Sequence, residues 1–213
     1  MYLIVSSTEI EIDQLRKSKE LERDFNFFTT NVGMVESAIS LARLFAEKEV
    51  GGLILFGVGG AYSNTGVDIL DICLAEKEYF GDLGVAMGNK VEYFTDDALK
   101  NKRTFNLKNN LLDKVENKLN VLKIPHKIGN FVTVNSCSGT LQRGNFLRDK
   151  FSAICENMEG AAVARVCELY RVPMIELRCV SNMVEDRDKS KWKLNEAIDK
   201  GTRVLKKLLP EVF

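Results

Sequence analysis

The chain has a single histidine, His126, and only three prolines among its 213 residues. One imidazole, following Pro125 in a lysine-flanked stretch, argues against a histidine triad and against a His/Cys zinc site. Any general acid or base must therefore be a carboxylate, lysine, tyrosine or cysteine, and no metal or other cofactor is expected. The cysteines at 73, 137, 155, 167 and 179 are odd in number and lack a Cys-x-x-Cys pair. They read as buried thiols of a reducing compartment, so the expected location is cytoplasmic. Charge of one sign is not in excess: 30 basic residues face 30 acidic ones. That excludes a general nucleic-acid binder, which needs a basic surplus. No apolar run approaches the ~20 residues needed to span a bilayer, so no membrane partner is expected. The first residues, Met1 to Glu9, lack a basic start and a long apolar stretch, and read as a first strand rather than a signal peptide. Repeats, low-complexity stretches and proline-rich linkers are also missing, which predicts one domain over residues 1–213.

What is present is an alternation of strand and helix patterns. Tyr2 to Val5 is a short apolar run, followed by a polar helix over Glu9 to Lys19 and a strand over Asn26 to Thr30. Gly33 to Lys48 has helical spacing, with Val35, Ile39, Ala42 and Phe45 on one side. Gly51-Gly52 ends it, Leu53 to Phe56 reads as a buried strand, and Gly57 to Tyr62 reads as a glycine-rich loop. Further strands are predicted over Ile69 to Tyr79, Phe131 to Asn135 and Pro173 to Val180. Helices are predicted over Leu111 to Leu119, Thr140 to Lys150, Met158 to Tyr170 and Trp192 to Leu209. Apolar strands alternating with amphipathic helices predict an α/β fold, a central sheet covered on both faces.

Ligands of such sheets bind beyond the carboxyl ends of strands. Polar or glycine-rich groups fall there at Ser6 to Glu11, Gly57 to Ala61, Asn135 to Gly139 and Ser181-Asn182. The Asn157-Met158-Glu159-Gly160-Ala161-Ala162 segment joins them if its helix start faces the same rim. There one carboxylate, Glu159, opens a helix of small apolar residues. It is either satisfied by its own helix start or reserved for a polyol. Gly57-Val58-Gly59-Gly60 fits neither the dinucleotide fingerprint nor a phosphate-binding P-loop. Its bland reading is a tight turn; its functional reading is close backbone approach to a ligand. Ser181-Asn182 is either a turn or a base-reading amide, since an amide offers a donor beside an acceptor. Glu11 lies between Glu9 and Asp13, where a solvated helix face is the usual fate of a carboxylate. Glu-Asp-Arg-Asp at 185–188 reads as a solvated loop.

Taken together, these segments resemble the purine nucleoside phosphorylase and nucleosidase superfamily, and within it the futalosine hydrolases. The resemblance runs over most of the chain. It is strongest from Asn157-Met158-Glu159-Gly160-Ala161-Ala162 through Val172-Pro173-Met174 to Arg178-Cys179-Val180-Ser181-Asn182, with support from Phe56 to Tyr62 and Thr133 to Ser136. It implies a central mixed, twisted β-sheet flanked by helices, and hydrolysis of the N-glycosidic bond of a small nucleoside, futalosine, with release of hypoxanthine. Such bonds break through an oxocarbenium-like transition state in which contacts to sugar hydroxyls tighten. By the same resemblance Glu159 binds the ribose hydroxyls and Met158 packs on the sugar. Glu11 activates the attacking water, and Gly59 and Gly60 approach water and ribose. Asn182, with Ser181 beside it, holds the base as a 6-oxopurine, where adenine-selective nucleosidases carry Asp. Phe131 and Phe146 are candidates for the ring that stacks on the base. The family's habit of assembly implies a homodimer or larger homo-oligomer. An adenosine-type nucleosidase, a phosphorolytic enzyme and a non-catalytic nucleoside-binding protein remain open as alternatives.

Overall fold

In the computed structural model the described residues are 1–94 and 102–212. Ten strands and seven helices are named here in chain order. They are β1 (Tyr2–Ser6), α1 (Glu9–Arg16), α2 (Lys19–Glu22), β2 (Phe25–Thr29), α3 (Met34–Glu47), β3 (Gly52–Tyr62), β4 (Ile72–Phe80), β5 (Gly84–Met87) and β6 (Lys90–Tyr93). After them come β7 (Thr104–Asn106), α4 (Asn110–Val121), β8 (Lys127–Thr133), α5 (Leu141–Phe151), β9 (Ala153–Asn157), α6 (Gly160–Tyr170), β10 (Met174–Val184) and α7 (Leu194–Leu208). A mixed sheet of eight strands runs β10-β4-β8-β9-β3-β1-β2, with β7 against β4. Because β10 also pairs with β3, the strands β3, β10, β4, β8 and β9 close into a ring. The β5–β6 hairpin stands apart from it.

Long apolar strands build the centre because both sheet faces are covered. Leu53 and Leu55 of β3 pack on one side with Leu41 and Phe45 of α3 and Val163 of α6. Ile54 and Phe56 pack on the other with Ile12 and Leu15 of α1 and Leu205 and Leu208 of α7. This alternation is the period-2 rule of strands.

Three expectations change. First, Gly57 to Tyr62 is not a loop but the second half of β3, paired with β10 on one side and touching β9 on the other. The glycines are there for lack of a side chain: a Cβ on Gly57 would lie 2.6 Å from Arg178 Nη1 and 2.8 Å from Glu11 Oε1. Second, Ser181 and Asn182 lie inside β10, at a bulge between Val180 and Asn182, rather than in a turn after it. Third, α3 buries Ser37, Leu41 and Phe45, while Val35 and Ile39 of the expected core face are 66% and 61% exposed. Periodicity finds an apolar stripe but not what covers it. Strands β5, β6, β7 and β9 are additions to the pattern read from the sequence.

Candidate active site

Glu11 sits in the first turn of α1, and a capping box fixes it there. Thr8 accepts from the Glu11 amide at 3.4 Å, and Glu11 Oε2 accepts from the Thr8 amide at 3.1 Å. The same oxygen accepts from Ser7 Oγ at 3.0 Å and Thr8 Oγ1 at 2.8 Å. Oε1 turns the other way and accepts from the Val58 amide of β3 at 3.1 Å. Glu11 is therefore buried, whereas its neighbour Glu9 is exposed and pairs with Arg16. The solvated-face reading applies to Glu9 and not to Glu11.

Arg178 of β10 is the hub. Its Nε donates to Glu176 Oε1 at 2.8 Å, and its Nη1 donates to the Val58 carbonyl at 3.2 Å. Nη2 lies 3.6 Å from Glu159 Oε2 and has no hydrogen bond among the described residues. Burial works against this charge, but Glu176, Glu159 and Glu11 outweigh it and hold the guanidinium above its ordinary pKa. Sequence reasoning gave Arg178 no role. The available signal was a Glu176/Arg178 pair two apart in an apolar strand, which places both on one face.

Glu159 precedes α6, and its carboxylate is not used by that helix. The amides of Glu159 and Gly160 donate instead to Asn157 Oδ1 at 2.9 and 2.7 Å, and that of Ala161 donates to Thr133 Oγ1 at 2.7 Å. Glu159 Oε1 accepts from the distant Gly33 amide at 3.0 Å. Burial pushes its carboxyl up, partly offset by Arg178 and the Gly33 amide. Behind it, Glu78 faces Glu176 across Gly160, where a Cβ would lie within 2.2–2.7 Å of their oxygens. Burial first, and then the charge of Glu176, hold Glu78 well above the usual carboxylate range.

A cavity of about 280 Å³ opens over this cluster. It is lined by Glu11, Gly59, Gly60, Met158, Glu159, Ser181 and Asn182, the polar, glycine and methionine candidates of the sequence, together with Arg178. Ser181 Oγ lies 2.8 Å from Asn182 Oδ1, and Asn182 Nδ2 donates to the Met183 carbonyl at 3.1 Å, which orients the amide. Met158 Sδ touches Cys137 Sγ at 3.3 Å. The stacking candidates are elsewhere: Phe131 is in the core, and Phe146 stacks on Tyr93. The ring in the lining is Trp192, with the Arg187 guanidinium 4.9 Å from its centroid. The 185–188 loop thus places one cation at the rim, while Glu185 pairs with Lys191. Glu156, at the end of β9, is a further lining carboxylate that the sequence reading passed over. Among the described residues no group of three or more His, Cys, Asp or Glu side chains could hold a metal ion.

A mixed, ring-closed α/β sheet with buried carboxylates at the strand ends is the architecture of nucleoside phosphorylases and nucleosidases. The chain belongs to the phosphorylase superfamily, whose family model matches residues 22–210. It is 34% identical over 190 residues to the futalosine hydrolase of Thermus thermophilus, covering 88% of this chain and 82% of that protein. It is 29% identical over 189 residues to the aminodeoxyfutalosine nucleosidase of Campylobacter jejuni, covering 83% of this chain and 77% of the relative. The fold matches a solved futalosine hydrolase mutant of Helicobacter pylori with a TM-score of 0.84 at 19% identity, over 98% of this chain and 97% of that one.

Proposed function

We propose that the protein hydrolyses the N-glycosidic bond of futalosine, releasing hypoxanthine and the dehypoxanthine sugar product. The observation that carries this reading is the gathering of Glu11, Glu159, Arg178 and Asn182 around one cavity, with Glu159 facing Arg178. The curated relatives' activities support it. Glu11 takes a proton from a water held in the cavity that it lines. The water oxygen forms the bond to C1′ as the C1′–N9 bond breaks, the bonding pair leaves with the base, and the base takes a proton at N7 from solvent while Glu11 gives the water's proton back to solvent. Glu159 accepts hydrogen bonds from the ribose hydroxyls, and its charge favours the cationic ring of the transition state. Met158 packs on the sugar. Gly59 and Gly60 leave room for water and ribose, and Ser181 keeps Asn182 turned to the base. Asn182 donates to O6 and accepts the proton of N7. Arg187 on Trp192 offers a guanidinium to the carboxylate that futalosine carries.

Water, not phosphate, is the nucleophile. The lining presents Glu11, Glu156 and Glu159, and Arg178 is already engaged by Glu176. The test is release of hypoxanthine from futalosine with and without phosphate, by wild type and Glu11→Gln. Equal release in both buffers is expected, with kcat lowered about 10²–10⁴-fold in the variant. Formation of a sugar 1-phosphate faster than hydrolysis would refute the reading, as would a variant with wild-type kcat.

The working form we infer is a homodimer or larger assembly in the cytoplasm. Five free cysteines suit a reducing compartment. The exposed Val32, Val35 and Ile39 form an apolar face that continues into the cavity through Val32.

A further inference from the structure

Glu156 has no part in the reaction just described, yet it lines the cavity and is 6% exposed. Among the described residues no cation pairs with it. Three donors hold it instead. Ser138 donates its amide to Oε1 at 2.8 Å and its hydroxyl to Oε2 at 2.6 Å, and Tyr62 donates its hydroxyl to Oε2 at 3.1 Å. Burial and the charge of Glu156 push the Tyr62 phenol well above its ordinary pKa, so it remains a donor. A carboxylate can accept about four hydrogen bonds. With three taken, the remaining acceptor site belongs to Oε1.

Its place in the sheet fixes what it can read. Gly60 of β3 is paired with Glu156 on one side and with Asn182 on the other. Paired residues project from the same face, and strands lie ~4.8 Å apart, so the two side chains leave the sheet about 10 Å apart. Between them Gly60 contributes nothing. A Cβ there would press to 2.8 Å from Val184 Cγ2 and 3.2 Å from Asn182 Nδ2. Val184 packs over the glycine, and an amide and an acceptor-only carboxylate stand on its two sides, both in the lining of the cavity.

We propose that Glu156 is a specificity-determining residue that accepts the N1–H of a 6-oxopurine while Asn182 holds O6 and N7. The identity of the base, hypoxanthine, rests on the hydrolase reading above. Hypoxanthine carries a proton on N1 next to its 6-oxo group. Adenine carries a bare lone pair on N1 next to an amino group. A rotatable amide can adapt to either base, because it is both donor and acceptor. A carboxylate pinned by three donors cannot, and it meets the adenine N1 lone pair with its own. Rejection of adenine therefore takes place at N1 and not at the 6-position alone.

The experiment is calorimetric binding of hypoxanthine, adenine and 1-methylhypoxanthine to wild type and Glu156→Gln, with futalosine cleavage followed in parallel. Wild type should prefer hypoxanthine to adenine and bind the N1-methylated base at least tenfold more weakly than hypoxanthine. Glu156→Gln, which can offer a donor to N1, should shrink the hypoxanthine/adenine preference about ten- to a hundredfold. Should the variant not fold, the wild-type comparison of hypoxanthine with its N1-methyl derivative decides, and equal affinities overturn the proposal. If futalosine is cleaved but Glu156→Gln keeps the wild-type preference, the proposal falls and the hydrolase reading stands. If the preference shifts as expected but futalosine is left intact, the hydrolase reading falls and the base clamp stands.

Discussion

Buried carboxylates dominate this molecule at the scale of single residues. Glu11, Glu78, Glu156, Glu159 and Glu176 are all nearly inaccessible, and Arg178 is the guanidinium among them. Such groups persist only if each is paired or hydrogen-bonded. Glu78 is the one held well above the usual carboxylate range by burial and by a neighbouring carboxylate, and this has a sign. Its folded pKa lies well above the ordinary carboxylate value, through burial and then through Glu176. The stability it contributes is fully present below its unfolded pKa and is lost as pH rises through the raised folded value. Glu159 and Glu156, raised mainly by burial, add in the same direction. Melting temperature should therefore fall as pH rises above the ordinary carboxylate range. Glu78→Gln, which cannot release that proton, should show a shallower slope even if it melts lower throughout. Parallel slopes for the two proteins in a thermal-melt series would show that Glu78 is not the group responsible.

At the scale of elements the decisive piece is β3. Its first half is apolar and packs on both faces, and its second half is glycine-rich and admits the site. Gly57→Ala puts a Cβ within 2.6 Å of Arg178 Nη1, a group already anchored to Glu176 and to Val58. Overpacking of that kind costs about 1–3 kcal/mol. The melting temperature should drop and kcat should fall with it, because Glu11 Oε1 stands 2.8 Å from the same Cβ. A variant that melts normally and turns over normally would mean the guanidinium can shift freely. This strand also shows where the sequence was legible. Glu159 and Asn182 could be found because helix-start chemistry and a polar residue in an apolar run are local signals. Arg178 and Glu156 could not be given roles, since their partners Val58, Glu159, Ser138 and Tyr62 come from other segments. The glycines carry two sequence readings, a tight turn and close backbone approach to a ligand; neither names the crowding from α1, β9 and β10 that leaves no room for a Cβ.

At the scale of the whole molecule, the misjudged face of α3 carries the consequence. The α/β class, the covered central sheet and most helices follow from periodicity, while the mixed strand directions follow only from the family resemblance. Periodicity cannot say whether an apolar stripe meets the chain's own core or a second copy. Val35 and Ile39 are exposed, and the loop before α3 supplies the Gly33 amide to Glu159. A partner seated here would brace the Glu159 carboxylate. Ile39→Arg should shift sedimentation from assembly to monomer and lower kcat/KM at least several-fold. A fully active monomer would show that the face plays no part in the site.

The capping box of α1 has one more consequence. Glu11 accepts from the Thr8 amide through one oxygen and from the Val58 amide through the other. The proton resonances of these two amides, on separate elements, therefore register the charge on one carboxylate. Loss of that charge should move both signals together, with no probe attached to the protein. The two peaks form a built-in gauge, readable by NMR, of when a bound ligand has taken hold of Glu11.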